Sequence, residues 1–514
     1  MPESTDFSRM ALALSGGGFR ATLFHLGVLR YLRAANVLQS VKHIAAVSGG
    51  SILAGHVALH WNRYCGSIDE FEAASREIRD YCARDLRGSI VRRLPFLALA
   101  RLLRLPRRRV PRTTTDLLIR DLNTFYRDTN LVDLEEMQPD APRLSIVATN
   151  LTYPGLTLFE SGRVVFIPLN GRHDDPAEER VYEGAAPSLA LAVGASAAYP
   201  AFFTPVPLTG DDLRVSDEYG HQFHTDGGVI DNQALVALLE SKLDDSVKVV
   251  ISDASEADVS SRPGEDFGLI DSGFRATELM MAQIRAHRYG DMAERRPDCT
   301  FFVSIDATTE DERAAPSAVQ IQLSGIRTDL DAFDMVEASE LVSHGFWMAK
   351  AQLRLEHDAG FGPPQQRAAT TSHIVDHLRG RFGWRLGLFT WRDPVWAVYA
   401  AILALLLLSI APYAAGVTGS VSEFIAYAGS YDLLRRDVPA APTVAPVAIE
   451  RVADVGPRPK NVDFTVAAEH RLWDLRKLRL SGDSKQIVGS AFMTRFTELI
   501  RDHESARIYS YYFE

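Results

Sequence analysis

MALALSGGGFRATLFHLGVLRYLRAANVLQSVKHIAAVSGGSILAGH, residues 10–56, decides the architecture. The apolar run Met10 to Leu14 predicts a short buried strand, Ser15-Gly16-Gly17-Gly18 a tight loop, and Ala21 to Ala34 a helix with apolar residues at helical spacing. The same order then repeats. Val41 to Val47 reads as a second strand, Ser48-Gly49-Gly50 as a sharp turn, and Ser51 to Trp61 as a second helix. Each strand thus enters its helix through glycines.

A serine at such a turn projects its hydroxyl out of the backbone, provided that its neighbours are small. Ser48 holds that place within Ala46-Val47-Ser48-Gly49-Gly50, where alanine stands for the first glycine of Gly-x-Ser-x-Gly. The following helix points its N-terminal amides at the turn and favours developing negative charge there. Gly16, Gly17 and Gly18, together with Gly49, are candidates for an oxyanion hole, because glycines let backbone N–H groups approach closely. Glycine-rich turns also bind phosphates, but neither phosphate pattern fits. Gly-x-x-x-x-Gly-Lys-Ser/Thr is missing, and the triple glycine lacks the Gly-x-Gly-x-x-Gly spacing of dinucleotide sites.

At 514 residues the chain is long enough for a large core and at least one further unit. Its net charge of -11 argues against general nucleic-acid binding. Three widely spaced cysteines, Cys65, Cys82 and Cys299, suggest neither a disulfide framework nor a metal knuckle, and fit a reducing compartment. The N-terminal MPESTDFSRM shows no signal pattern, so the first domain is expected to stay in the cytoplasm.

Further along, Ile68 to Leu86 reads as helical, and Arg84 to Arg112 carries ten arginines among leucine, isoleucine, valine and phenylalanine. That segment suits an anionic membrane surface. The alternative is a solvated helix whose arginines pair with acidic residues elsewhere. Leu144 to Thr149 and Val164 to Ile167 look like strands joined through a hairpin or edge, and Ser188 to Val206 is a small-residue helix broken at Pro200, with a packing role. Phe223-His224-Thr225-Asp226-Gly227-Gly228 then places an aspartate between a short strand and a helix starting near Asn232. Asp-Gly is in itself a common turn dipeptide. Val247 to Ser252 and Phe301 to Ile305 add strands, so a mostly parallel sheet covered on both faces is expected.

Ser15-Gly16-Gly17-Gly18-Phe19-Arg20, Ala46 to Ser51, Ala195-Ser196-Ala197-Ala198-Tyr199-Pro200 and Asp226-Gly227-Gly228 resemble, in order and spacing, the motifs of bacterial patatin-like phospholipases. The resemblance covers residues 8–357, up to and beyond the helical stretch Ile326 to Phe346. It implies a three-layer α/β/α fold with a mostly parallel central sheet, and an acyl hydrolase that uses a Ser-Asp dyad with no metal or organic cofactor. Carried onto this sequence, the nucleophile is Ser48 and its partner Asp226, with Arg20, Gly50, Gly227 and Gly228 in support. Asp226 would take the Ser48 proton, Ser48 would attack an ester carbonyl, and glycine amides would hold the oxyanion. A triad drawing on His25, His56 or His224 is the competitor, and Ser51 the rival nucleophile. Other outcomes are an esterase, thioesterase or acyltransferase on the same fold, or an inactive membrane scaffold.

Residues 358–393 read as a linker with a basic, aromatic juxtamembrane segment. Pro394 to Ser422 carries no charge, and 394–417 is long enough for one transmembrane helix. Arg379, Arg381, Arg385 and Arg392 precede it, which predicts a single-pass membrane protein with a cytoplasmic catalytic domain and a phospholipid substrate. A Pro/Ala-rich linker at 438–460 leads to a small C-terminal unit, 461–514, of unassigned role.

Overall fold

Strand β1, Met10–Leu14, is uncharged and buried along its whole length. Met10, Leu12 and Leu14 join one hydrophobic cluster, while Ala11 and Ala13 join a second on the opposite face. A strand covered on both sides has no polar face to alternate, which is why it reads as a continuous apolar run.

The computed structural model describes residues 6–104, 110–169, 180–200, 202–255, 268–363, 371–379, 395 and 398–401. After β1 come α1 (Gly18–Ala34), β2 (Val41–Val47), α2 (Ser48–Leu59), α3 (Trp61–Cys65) and α4 (Ile68–Cys82). A helical stretch follows: α5 (Leu86–Arg92), α6 (Leu94–Leu102), α7 (Thr114–Phe125) and α8 (Asp133–Met137). Strands β3 (Arg143–Asn150), β4 (Gly155–Glu160), β5 (Gly162–Pro168) and β6 (Arg180–Ala185) lead to α9 (Leu189–Ser196), β7 (Val206–Leu208), α10 (Gly210–Leu213) and β8 (Gln222–Asp226). The remainder comprises α11 (Leu235–Glu240), β9 (Lys248–Asp253), α12 (Leu269–Arg295), β10 (Thr300–Ser304), α13 (Ser317–Ser324), α14 (Met335–Leu353) and α15 (Thr371–Arg379).

The strands form one sheet in the order β10-β9-β1-β2-β3-β4-β5-β6, with β8 pairing to both β3 and β7. From β10 to β3 every pairing is parallel, and these five strands make the expected parallel centre. Beyond β3 the pairings are antiparallel: short turns lead from β3 to β4 and from β4 to β5, and β6 pairs antiparallel with β5. Side chains of α1, α2, α4, α9 and α14 fill the cluster on one face, and α11 with Met292 of α12 the other. This is the three-layer arrangement expected.

Packing continues past residue 357. Phe361 is buried, with its ring 5.2 Å from Phe71 and the Arg30 guanidinium 4.8 Å above it. Ile374, Val375 and Leu378 of α15 are also buried. The first part of the expected linker at 358–393 is therefore an extension of the domain. Its polar composition concealed an amphipathic helix.

The basic stretch Arg84–Arg112 divides into two parts. Arg87 is buried and pairs with Asp329 and Asp331, Arg92 is buried and lies 2.9 Å from Asp85, and Arg84 pairs with Asp121. Arg87 and Arg92 are thus used inside the fold, which corrects their assignment to a membrane surface, while Arg84 stays half-exposed. Helix α6 behaves differently, since Leu94, Phe96, Leu99 and Leu102 are exposed along it and Leu103 just beyond. Arg107, Arg108 and Arg109 lie outside the described residues.

Among the described residues no helix is long and apolar enough to cross a membrane. The span expected at 394–417 lies outside the described residues except for Val395 and residues 398–401. The linker at 438–460 and the unit at 461–514 lie wholly outside them.

Candidate active site

Ser48 is the first residue after β2 and has φ 51°, in the left-handed region. For a residue with a side chain this conformation costs about 1–3 kcal/mol, so the surroundings must impose it. Its N–H donates to Ser196 Oγ at 2.9 Å, its carbonyl accepts from Ser51 Oγ at 2.6 Å, and the residue itself stays partly exposed. Gly49 comes next because no larger residue fits. A Cβ there would lie 2.0 Å from the Gly18 carbonyl oxygen. The two glycine loops are thus in backbone-to-backbone contact beside the serine.

Asp226 arrives from the opposite direction. Val47 is the last residue of β2 to pair with β3, opposite Val147, and the next residue of β3, Ala148, pairs with Asp226 of β8. Strand β8 therefore takes over the line that β2 leaves, running the other way. Gly227 turns the chain out of the sheet, where a Cβ would meet the Val147 carbonyl at 2.3 Å. The Asp226 N–H donates to Ala198 O at 3.0 Å, and Gly228 N–H donates to Asp226 Oδ1 at 2.7 Å. Burial pushes the Asp226 carboxyl up to about 6, opposed by hydrogen bonds from the Ser48 hydroxyl and the Gly228 amide. A carboxylate poised near neutrality is a far better proton acceptor than one in water.

The short segment after α9 grips both residues. Ser196 Oγ holds the Ser48 amide, and Ala198 O holds the Asp226 amide and the Thr225 hydroxyl. The sequence quoted this block but assigned it only packing. Asn232 is a second residue that sequence reasoning passed over. Its Oδ1 occupies the space that a Cβ on Gly16 or Gly228 would need, 2.3 and 2.5 Å away, next to the Ser48 side chain.

The glycine loop is divided in its use. Gly16 N–H donates to the Asn232 carbonyl at 2.9 Å, so of the four expected oxyanion donors its amide is already engaged. Gly17 and Gly18, at φ 136° and 57°, carry the turn into α1. Arg20 is fully buried and donates to the carbonyls of Ser324, Ile326 and Ala254, holding the loop from behind. These bonds tie the start of α1 to the chain beyond β9.

The histidines are occupied elsewhere. His25 lies between Ser252 Oγ and Ser15 O, with its pKa lowered to about 4 by burial. His224 meets Thr157 and Tyr219, and His56 meets Tyr64 and Glu77. Among the described residues no histidine bonds to Ser48 or Asp226. Ser51 is buried inside α2 and its hydroxyl is turned back onto Ser48 O.

A partly exposed serine at a strained strand-to-helix elbow, with a buried carboxyl group beside it and two glycine loops pressed together, is the layout of a serine acyl hydrolase. Residues 12–239 match the patatin-like phospholipase family model, so the chain carries a patatin-like phospholipase domain over that stretch. None of the curated proteins matches the sequence. Among solved structures, VipD from Legionella pneumophila is similar over 68% of this chain and 67% of its own, at 14% identity and TM-score 0.32. Human GIVD cytosolic phospholipase A2 is similar over 73% of this chain, at 14% identity and TM-score 0.41, and the chain spans 60% of that enzyme's length. The same human enzyme in complex with methyl gamma-linolenyl fluorophosphonate and terbium chloride gives 15% identity and TM-score 0.41.

Proposed function

We propose that the protein hydrolyses fatty-acyl esters of phospholipids or lysophospholipids, with Ser48 as nucleophile and Asp226 as its only proton acceptor. The observation that carries this reading is the meeting of the two residues at the facing ends of β2 and β8, with Asp226 buried and its pKa near 6. Asp226 takes the hydroxyl proton as Ser48 attacks the ester carbonyl. The N–H groups of Gly17, Gly18 and Gly49 face the developing oxyanion, the alcohol leaves, and water then releases the fatty acid.

The enzyme works at a membrane surface. The exposed apolar side chains of α6 support this, with Tyr199 also exposed only three residues from Ser196. The uncharged run 394–417 supports an anchor, and the arginines before it a cytoplasmic catalytic domain. The test is release of fatty acid from phospholipid and lysophospholipid vesicles by the purified chain. Ser48→Ala should lose essentially all of it while keeping its folded circular-dichroism spectrum, and Ser51→Ala should keep it. Substantial hydrolysis by Ser48→Ala overturns the assignment.

A further inference from the structure

Helix α2, which begins at Ser48, ends in a second cluster of chemically capable side chains. His56 and His60 stand four residues apart, so they share one face of the helix end. Glu77 comes from the neighbouring α4, which is fixed in place by a Ser67–Glu70 capping box. His56 Nε2 lies 3.2 Å and His60 Nε2 3.9 Å from the same oxygen, Glu77 Oε2. Two imidazole nitrogens and one carboxylate oxygen lie within 4.8 Å of one another.

We propose that His56, His60 and Glu77 form a binding site for a divalent cation of the zinc class, with water as the fourth ligand. Metal bonds of 2.0–2.1 Å in tetrahedral geometry put neighbouring ligand atoms roughly 3.4 Å apart, and the two distances to Glu77 Oε2 bracket that figure. The outer groups are also in place. His56 Nδ1 lies 3.0 Å from the Tyr64 hydroxyl, which leaves Nε2 to face the ion, and Glu77 Oε1 accepts from Arg63 Nη2 at 2.8 Å. Phe125 stacks on the His56 ring at 5.2 Å and fixes its plane.

Access and charge are consistent with such a site. The His56 side chain is 1% exposed, His60 11% and Glu77 38%, so the cluster is walled on one side and open to solvent on the other. Arg63 and Arg127 are the cationic neighbours. The Arg63 side chain is 28% exposed and Arg127 is exposed, so water screens their repulsion. The ion would staple α2 to α4, far along the helix from the serine. This role is independent of the acyl-hydrolase reading.

The test is Zn2+ titration of the purified, chelator-treated full chain by calorimetry and thermal denaturation, with Co2+ as a spectroscopic probe. Expected are one tight Zn2+ per chain, a rise in Tm of a few degrees at saturation, and the visible band of four-coordinate Co2+. His60→Gln and Glu77→Gln should each weaken binding by roughly tenfold or more and remove the Co2+ band, while His221→Gln leaves both intact. Circular dichroism of the metal-free variants checks that they are folded. Binding unchanged in His60→Gln, or no binding at micromolar Zn2+, overturns the proposal.

Discussion

Val47, the residue before Ser48, and Asp226 occupy consecutive places along one line of the sheet, although 179 positions separate them in the chain. Opposite β3 the line reads Val47 from β2 and then Asp226 from β8, so Ser48 turns away at the point where the aspartate takes over. The sheet itself brings the two groups together.

The first prediction concerns pH. Asp226 must be ionised to accept a proton, so hydrolysis should rise with pH through about 6 and level off above it. Stability should move the other way. The folded-state pKa lies above the ordinary 3.8, so the folded protein binds more protons between those values, and stability falls as pH rises from about 4 to about 6. Asp226→Asn should then be inactive, yet more stable than the parent at pH 7 by up to about 3 kcal/mol, and no more stable at pH 4. Thermal melts at the two pH values check this, and equal melting temperatures at pH 7 would contradict it.

Ser196 is predicted to act through the conformation of Ser48. Removing its hydroxyl leaves the Ser48 amide without its acceptor and loosens the strained φ. Ser196→Ala should lower kcat roughly tenfold, the rate equivalent of one hydrogen bond of about 1.4 kcal/mol, with KM nearly unchanged. A loss confined to KM would instead place Ser196 in substrate binding.

Gly227→Ala should cost more than an ordinary surface change. The added Cβ meets a backbone carbonyl that belongs to the sheet and cannot swing aside. A drop in Tm of several degrees and loss of activity together are expected, whereas Gly290→Ala, exposed on α12 with open space around it, should remain active. Fatty-acid release and a melting curve on each variant suffice.

The α6 surface gives a prediction that separates binding from chemistry. Leu99→Ser with Leu102→Ser should reduce vesicle binding and vesicle hydrolysis several-fold, because each exposed leucine contributes about 1.5–3 kcal/mol when fully buried in lipid. Turnover of a short soluble ester should not change. Arg87→Met should behave differently, lowering stability and with it the turnover of both substrates alike, because it removes one of the two cations, the other being Arg327, that neutralise Asp329 and Asp331.

Much of the site was legible in the sequence because its parts are local. Strands β1 and β2 have the expected limits, and the apolar run, glycine turn and helix that frame Ser48 are contiguous. Asp226 could be placed only through the ordered set of motifs. Nothing in its neighbourhood says that β8 runs antiparallel into the end of β2. Ser196 and Asn232 were hidden for the same reason, since each acts through one atom on a distant backbone. The arginines misled because a guanidinium in a buried ion pair and one at a lipid surface look alike in a string of letters. His56, His60 and Glu77 converge from the end of α2 and from α4, and their spacing in the chain carries no motif that would join them.

Arg20 sets the smallest piece of this chain that is able to stand alone. The family match ends at residue 239, yet the guanidinium behind the glycine loop takes its acceptors from Ala254, Ser324 and Ile326. A fragment cut at 239 would also lack β9, the neighbour of β1, and would deprive this buried cation of those three acceptors. The loop beside Ser48 therefore depends on residues nearly ninety positions beyond the recognised boundary, and the chain up to Arg379 is the unit to express.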